Sequence, residues 1–397
     1  MMKRPDITSL IKKSPIKAKS VKTRPIDFGH MLSGIRLDVW LKLLKENKID
    51  KEFYPQAAVI TLESALLTPL AYLESFLFWI PIQFTKLKKD PIYVVGFWRS
   101  GTTYLQNLLT RDPQFGWFDP VSTITFGNSI LLRKPLTALA EKGLKGARAM
   151  DDLEFQIDFP MEESHALTNL TDLSVSHMMA FPDHGKGAKY VNAIFTDALS
   201  VDDRKRFYRL YTYLLKKLTY MKGGKQLLLK SPDNTARIAF LKRTYPRAKF
   251  INIYRNPYTV IRSALHMFRT EMDKYALSES VSDQYLLDRV CLIFERVYRR
   301  AFRDLDNLGA NDKIEIKYED FIENQESYLE MIYEKLGIRG YEKAYPYFKE
   351  YMDSMQDYKT NTYDYSPELI AKVNERLGFY FERYGYEMLD PSQAEEL

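Results

Sequence analysis

The stretch Gly96-Phe97-Trp98-Arg99-Ser100-Gly101-Thr102-Thr103 decides the fold of this chain. An apolar run, Ile92-Tyr93-Val94-Val95, precedes it, and a run with helical character follows from Tyr104. Strand, glycine loop and helix in this order aim several backbone N–H groups at one point, where the helix dipole also favours negative charge. The sequence therefore predicts a phosphate-binding loop.

This loop differs from that of the nucleotide triphosphatases, which has a lysine directly after its second glycine. Here Thr102 occupies that position, and the cation, Arg99, lies inside the loop. The backbone N–H groups of residues Ser100, Gly101, Thr102 and Thr103 are the predicted oxyanion donors, and the two threonine hydroxyls add further donors. The pattern indicates a phosphate-like ligand bound without the usual lysine.

The predicted fold class is α/β, with a central parallel sheet flanked by helices. Apolar runs predict strands over Ile92–Gly96, Leu227–Lys230, Lys249–Tyr254 and Ile314–Lys317. Helical periodicity is found over Asp202–Met221, Ile238–Leu241, Pro257–Phe268, Asp283–Leu308, Phe321–Leu336 and Pro367–Tyr384. Near-continuous apolar strands separated by helices are typical of a parallel sheet covered on both faces, whose ligands bind at the carboxyl ends of the strands.

Two further predicted strands end in cationic residues. Lys230 ends an apolar strand, where a purely structural lysine is unusual, although a lysine that extends to solvent remains an alternative. Arg255 leaves the next strand tip, with Asn256 as the predicted helix cap and Pro257 as the first helical residue. Ser263 lies about two turns into that helix. We expect Lys230 to act as a catalytic cation, and Arg255 with Ser263 to bind a second phosphate; the alternative for the latter is a well-capped helix with a surface arginine.

An acidic segment follows Pro160, which is predicted to open a helix. Glu162, Glu163 and His165 are the candidates for a general base at the substrate mouth. Acidic residues in a first turn also occur for dipole reasons alone, so a structural interpretation stays open.

Composition is that of a folded protein, with 45% hydrophobic and 28% charged residues and a net charge of +6. Only Asp6 opposes the lysines and arginines that precede Ile26. This arm lacks the apolar core of a secretory signal, and we expect a solvated segment, with contact to lipid head groups as the alternative. Residues 57–84 are apolar but contain two glutamates and two prolines, which favours packed helices over a membrane span.

The lone cysteine, Cys291, excludes a disulfide within the chain and is predicted to be a buried thiol. The five histidines lack metal-ligand spacing, so we expect no metal site.

Together these motifs resemble the sulfotransferases that use 3′-phosphoadenosine 5′-phosphosulfate (PAPS), in particular a broad, largely microbial branch related to the tyrosylprotein sulfotransferases. Phe97–Thr103 resembles the 5′-phosphosulfate loop of that family, and Arg255 to Ser263 resembles its 3′-phosphate motif. Leu229–Pro232, Pro160–Glu163 and Tyr318–Phe321 are similar to further family segments. The resemblance spans roughly Pro91 to Tyr386, and its two phosphate motifs lie about 150 residues apart.

The resemblance implies a P-loop-containing nucleotide-hydrolase-like fold, PAPS as donor, 3′-phosphoadenosine 5′-phosphate (PAP) as product, and no metal. It places Arg99, with the loop residues, at the 5′ end of the donor, Arg255 and Ser263 at the 3′-phosphate, and Tyr104 near the adenine. Many relatives have a histidine near Asn234, and its absence here shifts the role of base to Glu162 or Glu163, with His165 third.

The predicted organisation is a basic arm over residues 1–30, a helical extension over 31–90 and a sulfotransferase domain over 91–390. We expect a small-molecule or lipid-like acceptor with a hydroxyl or amine group, no nucleic acid partner, and a cytoplasmic location with peripheral membrane contact as an alternative. Two other functions stay open. A P-loop kinase or NTPase would need Mg²⁺, and a non-catalytic nucleotide-binding or membrane-surface module would bind the donor without transfer.

Overall fold

The computed structural model describes residues 26, 27, 29–143, 158–182, 187–355 and 364–394. Most of the predicted basic arm lies outside the described residues. The described residues contain a sheet of five strands in the order β2-β3-β1-β4-β5. The strands are β1 (Ile92–Val95), β2 (Phe115–Gly116), β3 (Gln226–Lys230), β4 (Lys249–Tyr254) and β5 (Lys313–Lys317).

All paired strands are parallel, so the predicted α/β class is confirmed. The sequence did not predict β2, because two residues are too few to show a period. The helices are α1 (Leu37–Glu46), α2 (Tyr54–Leu77), α3 (Trp79–Phe84), α4 (Thr102–Leu109), α5 (Pro120–Ile124), α6 (Arg133–Gly143), α7 (Glu163–Thr168), α8 (His177–Ala180), α9 (Gly187–Asn192), α10 (Val201–Met221), α11 (Ile238–Thr244), α12 (Pro257–Tyr275), α13 (Asp283–Asp306), α14 (Tyr318–Glu323), α15 (Gln325–Leu336), α16 (Tyr341–Ser354) and α17 (Pro367–Tyr384).

Alternate strand residues enter two separate apolar layers, as the period of a strand requires. On β1, Tyr93 and Val95 belong to the larger buried cluster, whereas Ile92 and Val94 belong to the smaller one. On β4, Phe250 faces the larger cluster and Ile251 the smaller. Both faces of the sheet are therefore covered, which leaves the carboxyl edge of the strands as the place where polar loops meet.

The N-terminal helices share the core of the sheet domain. Trp40 and Leu43 of α1 lie in the same buried cluster as Tyr93 and Val95 of β1. The helical character predicted for residues 31–90 is present in α1, α2 and α3. Helices α1 and α2 are packed as part of the same hydrophobic unit as β1, and α3 packs on α10.

Several predicted helix boundaries are wrong: α11 and α12 continue past their predicted ends at Leu241 and Phe268, to Thr244 and Tyr275. The predicted helix over Phe321–Leu336 is divided at Asn324, whose backbone leaves the helical region, into α14 and α15. The helix expected to open at Pro160 begins only at Glu163, because the N–H of Met161 binds the carbonyl of Phe118 at 2.7 Å and forms a β-bridge. A strand-like contact formed over a long sequence separation thus overrides the local helix-start signal.

Candidate active site

The loop between β1 and α4 needs both of its glycines. Gly96 and Gly101 have φ angles of 148° and 96°, which side-chain-bearing residues rarely adopt. A Cβ at Gly96 would lie 2.4 Å from the carbonyl oxygen of Ile253, and one at Gly101 would lie 2.3 Å from the ring of Tyr318. The chain therefore passes close to β4 and β5 at this edge, and α4 starts directly after the loop.

Arg99 joins the two predicted phosphate motifs. Its backbone has a φ of 68°, a conformation that costs on the order of 1 kcal/mol or more and is found mainly at functional sites. Its Nε donates a hydrogen bond to Oγ of Ser263 at 3.0 Å, and its carbonyl accepts one from Nη1 of Arg255 at 3.4 Å. Arg99 thus contacts two residues, Arg255 and Ser263, that lie 156 and 164 positions away in the chain.

Arg255 lies at the tip of β4 with its guanidinium 4.2 Å from the ring centroid of Tyr318. This cation–π contact holds the arginine beside the loop, because the same ring also packs against Gly101. Asn256 caps α12 as predicted: its side-chain oxygen accepts hydrogen bonds from the backbone N–H groups of Tyr258 and Thr259. The strand tip and the helix start therefore fix Arg255 at the loop.

Lys230 is buried at the carboxyl end of β3, where only 3% of its side chain is exposed. This burial excludes the alternative that Lys230 is a structural lysine whose ammonium group extends to solvent. Its Nζ lies 2.5 Å from Oε1 of Glu162 and 3.4 Å from Oγ1 of Thr103. Three residues from different parts of the chain thus converge beside the loop, as the position of β3 next to β1 allows.

Glu163 points away from this cluster into the core, although it follows Glu162 directly. Its side chain is 1% exposed, and its Oε1 accepts hydrogen bonds from the hydroxyl of Tyr211 at 3.2 Å and from the amide of Asn234. Its Oε2 makes no hydrogen bond to another described residue. Burial raises the pKa of this carboxyl from its ordinary value of 4.5 to about 7.

The remaining predicted residues take separate positions. His165 is exposed on α7. Tyr104 lies in the first turn of α4, where its hydroxyl donates to Oε1 of Gln325 at 2.6 Å and its ring lies near Phe321 and Tyr351. The role of Tyr104 at the adenine stays a prediction, since its present neighbours are those of a core aromatic residue.

Residues 91–343 match the profile of the sulfotransferase family. The chain belongs to this family. Among curated proteins it is similar to the omega-hydroxy-beta-dihydromenaquinone-9 sulfotransferase Stf3 of Mycobacterium bovis and of Mycobacterium tuberculosis. Each is 26% identical over 363 residues, which cover 91% of this chain and 92% of the relative.

Two solved sulfotransferase structures share the fold. STF9 from Mycobacterium avium superposes with a TM-score of 0.64 at 15% identity, over 90% of this chain and 98% of that one. STF1 from Mycobacterium tuberculosis H37Rv gives a TM-score of 0.59 at 18% identity, over 86% and 91%. The predicted fold family is thereby confirmed, and the sulfotransferase activity follows from the family.

Three residues that hold the loop were assigned no role there by the sequence analysis. The hydroxyl of Thr235 accepts from the N–H of Gly96 at 2.8 Å and donates to its carbonyl at 3.0 Å. The hydroxyl of Tyr298 accepts from the N–H of Phe97 at 3.3 Å, and Tyr318 supplies the ring described above. Tyr318 directly follows β5, so extending the strand-end rule to the fourth predicted strand would have found it.

Cys291 is buried, as predicted, and burial raises the pKa of its thiol to about 12. Within the part of the sulfotransferase that the structure describes, no group of three or more histidine, cysteine, aspartate or glutamate residues is arranged to hold a metal ion.

The raised pKa of Glu163 predicts a pH-dependent stability. Between about pH 4.5 and pH 7 the unfolded chain loses the proton of this carboxyl while the folded protein keeps it, so the free energy of unfolding falls as pH rises through this window. The loss should approach about 3 kcal/mol and stay constant above pH 7. The free energy of unfolding of Glu163→Gln should not show this fall between about pH 4.5 and pH 7.

Urea unfolding of the wild type and of Glu163→Gln at pH 5, 6, 7 and 8 measures the difference. The exposed Glu382 on α17 supplies the matched control, Glu382→Gln, which should run parallel to the wild type. If the free energy of unfolding of Glu163→Gln varied with pH as that of the wild type does, the carboxyl of Glu163 would ionise normally in the folded state.

Proposed function

We propose that this sulfotransferase uses PAPS as donor and transfers the sulfuryl group to the hydroxyl or amine of an acceptor, with a glutamate as general base and without a metal. The observation that carries the donor assignment is the contact of Arg99 with Ser263 and Arg255. It joins a loop suited to one phosphate-like group with a helix start suited to a second. A donor with phosphates at both ends of its ribose matches this pair of sites.

The residues of the loop fit the 5′ end of such a donor. Gly96 and Gly101 let the loop pack closely against Ile253 and Tyr318 and turn directly into α4, whose N-terminus adds the dipole of an eight-residue helix. The phosphosulfate supplies the activated sulfuryl group when bound. Arg99 and Lys230 then stabilise the negative charge that grows on the departing phosphate oxygen.

Protein cations suffice for this chemistry because a sulfuryl group carries less negative charge than a γ-phosphoryl group. Kinases recruit Mg²⁺ to neutralise that larger charge. The acceptor oxygen or nitrogen forms a bond to sulfur as the bond from sulfur to the phosphate oxygen breaks. That oxygen keeps the electron pair, and the acceptor proton passes to the base.

Glu162 is the proposed base. A base must first be within reach of the acceptor, and Glu162 lies beside Lys230 at the loop with part of its side chain accessible. Glu163 is closed off in the core, and we assign it a positioning role through Asn234, which belongs to the turn after Lys230. An anion in the loop would attract the Lys230 ammonium and leave the Glu162 carboxylate available for the acceptor proton.

We infer a lipid-like acceptor with a terminal hydroxyl group. The support is the similarity, over 91% of this chain, to the two Stf3 proteins, which are named for an omega-hydroxylated dihydromenaquinone acceptor. The exposed apolar side chains of α2 and α3 suit the same class of molecule. The cytoplasmic location stays a prediction.

A ligand-induced shift in melting temperature tests the donor. PAP at a hundredfold excess over its dissociation constant should stabilise the protein by about 2.7 kcal/mol. AMP and ATP·Mg, tested at the same concentration, should give much smaller shifts because AMP lacks the 3′-phosphate and ATP·Mg fits the loop poorly. Arg255→Ala should reduce the PAP shift to that of AMP.

The control is Arg247→Ala, which removes a largely exposed arginine before β4, at the amino end of the strand. It should keep the full PAP shift. A larger shift with ATP·Mg than with PAP would support a kinase or NTPase instead, and equal shifts with PAP and AMP would remove the second phosphate site.

A further inference from the structure

Helix α2 has the reverse of the polarity expected for a surface helix. Its buried face consists of Ile60, Ser64, Thr68, Ala71 and Glu74, spaced as one side of a helix. Three of these five residues are polar. A surface helix of a globular protein usually turns its apolar stripe to the core and its polar side to water.

Specific partners hold the polar face inward. Glu74 forms an ion pair with Lys217 of α10, and both side chains are 1% exposed. The other carboxylate oxygen of Glu74 accepts hydrogen bonds from the N–H groups of Ile130 and Leu131 at 2.9 and 2.7 Å. The hydroxyl of Thr68 accepts from the N–H of Leu37 at 2.8 Å. Rotating α2 to bury its apolar side would leave a buried lysine without its counter-ion.

The outward side of α2 and of the following α3 is predominantly apolar; Ser75 and Gln83 are its exposed polar residues, and Glu63 is half-buried. The exposed residues between Tyr54 and Phe84 include no charged side chain. Large side chains dominate this face, with Phe76 at 80% exposure as the extreme and Leu62, Leu66, Trp79 and Ile80 also mostly exposed. An apolar patch of this length on a protein surface marks an interaction site. We refer to the exposed side of residues 54–84 as the apolar face.

Cations border the apolar face. Lys86, Lys88 and Lys89 follow α3 and are exposed, whereas the charge of the exposed Lys51 before α2 is offset by its exposed neighbour Glu52. Tyr54 and Trp79, aromatic residues of the kind that settle at the level of lipid head groups, are exposed on the face. Apolar surface edged by lysines is complementary to an anionic bilayer, because head groups attract the lysines while the apolar side chains enter the acyl boundary.

We propose that the apolar face docks on an anionic lipid bilayer, with α2 lying along the membrane plane. The helix over residues 51–77 is long and apolar enough to cross a membrane by length and composition alone. Its inward anchors decide against crossing, since the Glu74–Lys217 pair and Thr68 fasten it to the body of the domain.

A series of packed elements connects the buried side of α2 to Glu162 and Glu163. α2 packs on residues 126–128, which follow α5, and α5 packs on α7, the helix that begins at Glu163. Docking would therefore hold the domain that carries the site at the surface of a bilayer that contains lipid acceptors, which bears on catalysis only through the proposed function. The docking itself does not rest on it.

Co-sedimentation of the full-length chain with vesicles tests the proposal. The vesicles contain phosphatidylcholine alone or phosphatidylcholine with phosphatidylglycerol. The wild type should sediment with the anionic vesicles, and Leu66→Ser/Phe76→Ser/Ile80→Ser should weaken that binding at least tenfold by removing large apolar side chains. Lys86→Gln/Lys88→Gln/Lys89→Gln should weaken it roughly 100-fold and remove the preference for anionic vesicles.

The matched control is Val201→Ser/Tyr208→Ser/Met388→Ser, which removes exposed apolar side chains from other surfaces and should bind as the wild type does. Quenching of Trp79 fluorescence by brominated acyl chains, absent in Trp79→Phe, reports insertion without altering the rest of the face. The proposal is wrong if the wild type binds neither vesicle, if the Leu66, Phe76 and Ile80 variant sediments normally, or if Trp79 is not quenched. It is also wrong if the apolar face is covered by a second copy, seen as a dimer that the same triple variant dissociates.

Discussion

Lys230→Met should lower turnover about 100-fold or more while PAP binding changes little. The Nζ of Lys230 lies between Glu162 and Thr103, buried and already in place beside the loop. A preorganised charge of this kind stabilises the departing oxygen in the transition state by on the order of 3 kcal/mol, which corresponds to about a hundredfold in rate. Methionine keeps the apolar stem and removes only the charge.

The matched control is Lys242→Met on α11. Lys242 is paired with Asp312 at 2.8 Å, next to the start of β5 and thus at the amino edge of the sheet. It should retain the rate of the wild type. Retention of the rate by Lys230→Met as well would remove Lys230 from the chemistry. If Lys230→Met weakened donor binding but left turnover unchanged, Lys230 would contact the bound donor without stabilising the transition state.

Glu162→Gln should show a loss of comparable size, in the range of about 10²–10⁴ typical of a general base. The amide keeps the shape of the side chain and its contact with Lys230 but cannot take the acceptor proton. Glu163→Gln should lose much less, because Glu163 faces Tyr211 and Asn234 in the core. Turnover of the two variants, measured side by side over pH 5 to 9, separates them.

The acid limb of the rate profile should disappear in Glu162→Gln and persist in Glu163→Gln. The opposite pattern would make Glu163 the base and Glu162 a partner of Lys230. Full activity in both variants would direct attention to His165, which is exposed on the same helix.

Most of the candidate site could be predicted from the sequence, because polar groups of a parallel sheet collect where its strands end. Arg99, Lys230 and Arg255 each follow or end a strand with a clear apolar signal. Local patterns of this kind identify a strand end without any knowledge of the partner strands. The order of the strands then brings the ends together at one edge.

Contacts across that edge could not be predicted. Nothing near Arg99 in the chain indicates that its guanidinium binds Ser263, and nothing near Glu162 indicates Lys230 as its partner. Such contacts depend on strand order and on the path of each loop, which the period of a single element does not encode. For the same reason the sequence could not distinguish Glu162 from Glu163, although Glu162 contacts Lys230 at the loop and Glu163 is buried in the core.

The orientation of helix α2 also could not be predicted from its own sequence. The rule that apolar residues face inward would have placed Ser64, Thr68 and Glu74 in water. The actual orientation is set by Lys217, 143 residues away in the chain, which forms a buried ion pair with Glu74. Composition alone therefore showed an apolar segment but not which side of it the protein buries.

Transfer of labelled sulfate from [³⁵S]PAPS, in buffer containing EDTA, to a lipid extract of the native cells tests the proposed reaction most directly. The wild type should label one or more lipids with a free hydroxyl group and release PAP in equal amount, and Lys230→Met should label them about 100-fold more slowly. Absence of labelling in every lipid and small-molecule fraction, or transfer of phosphoryl from ATP that requires Mg²⁺, would contradict PAPS-dependent sulfuryl transfer by this chain.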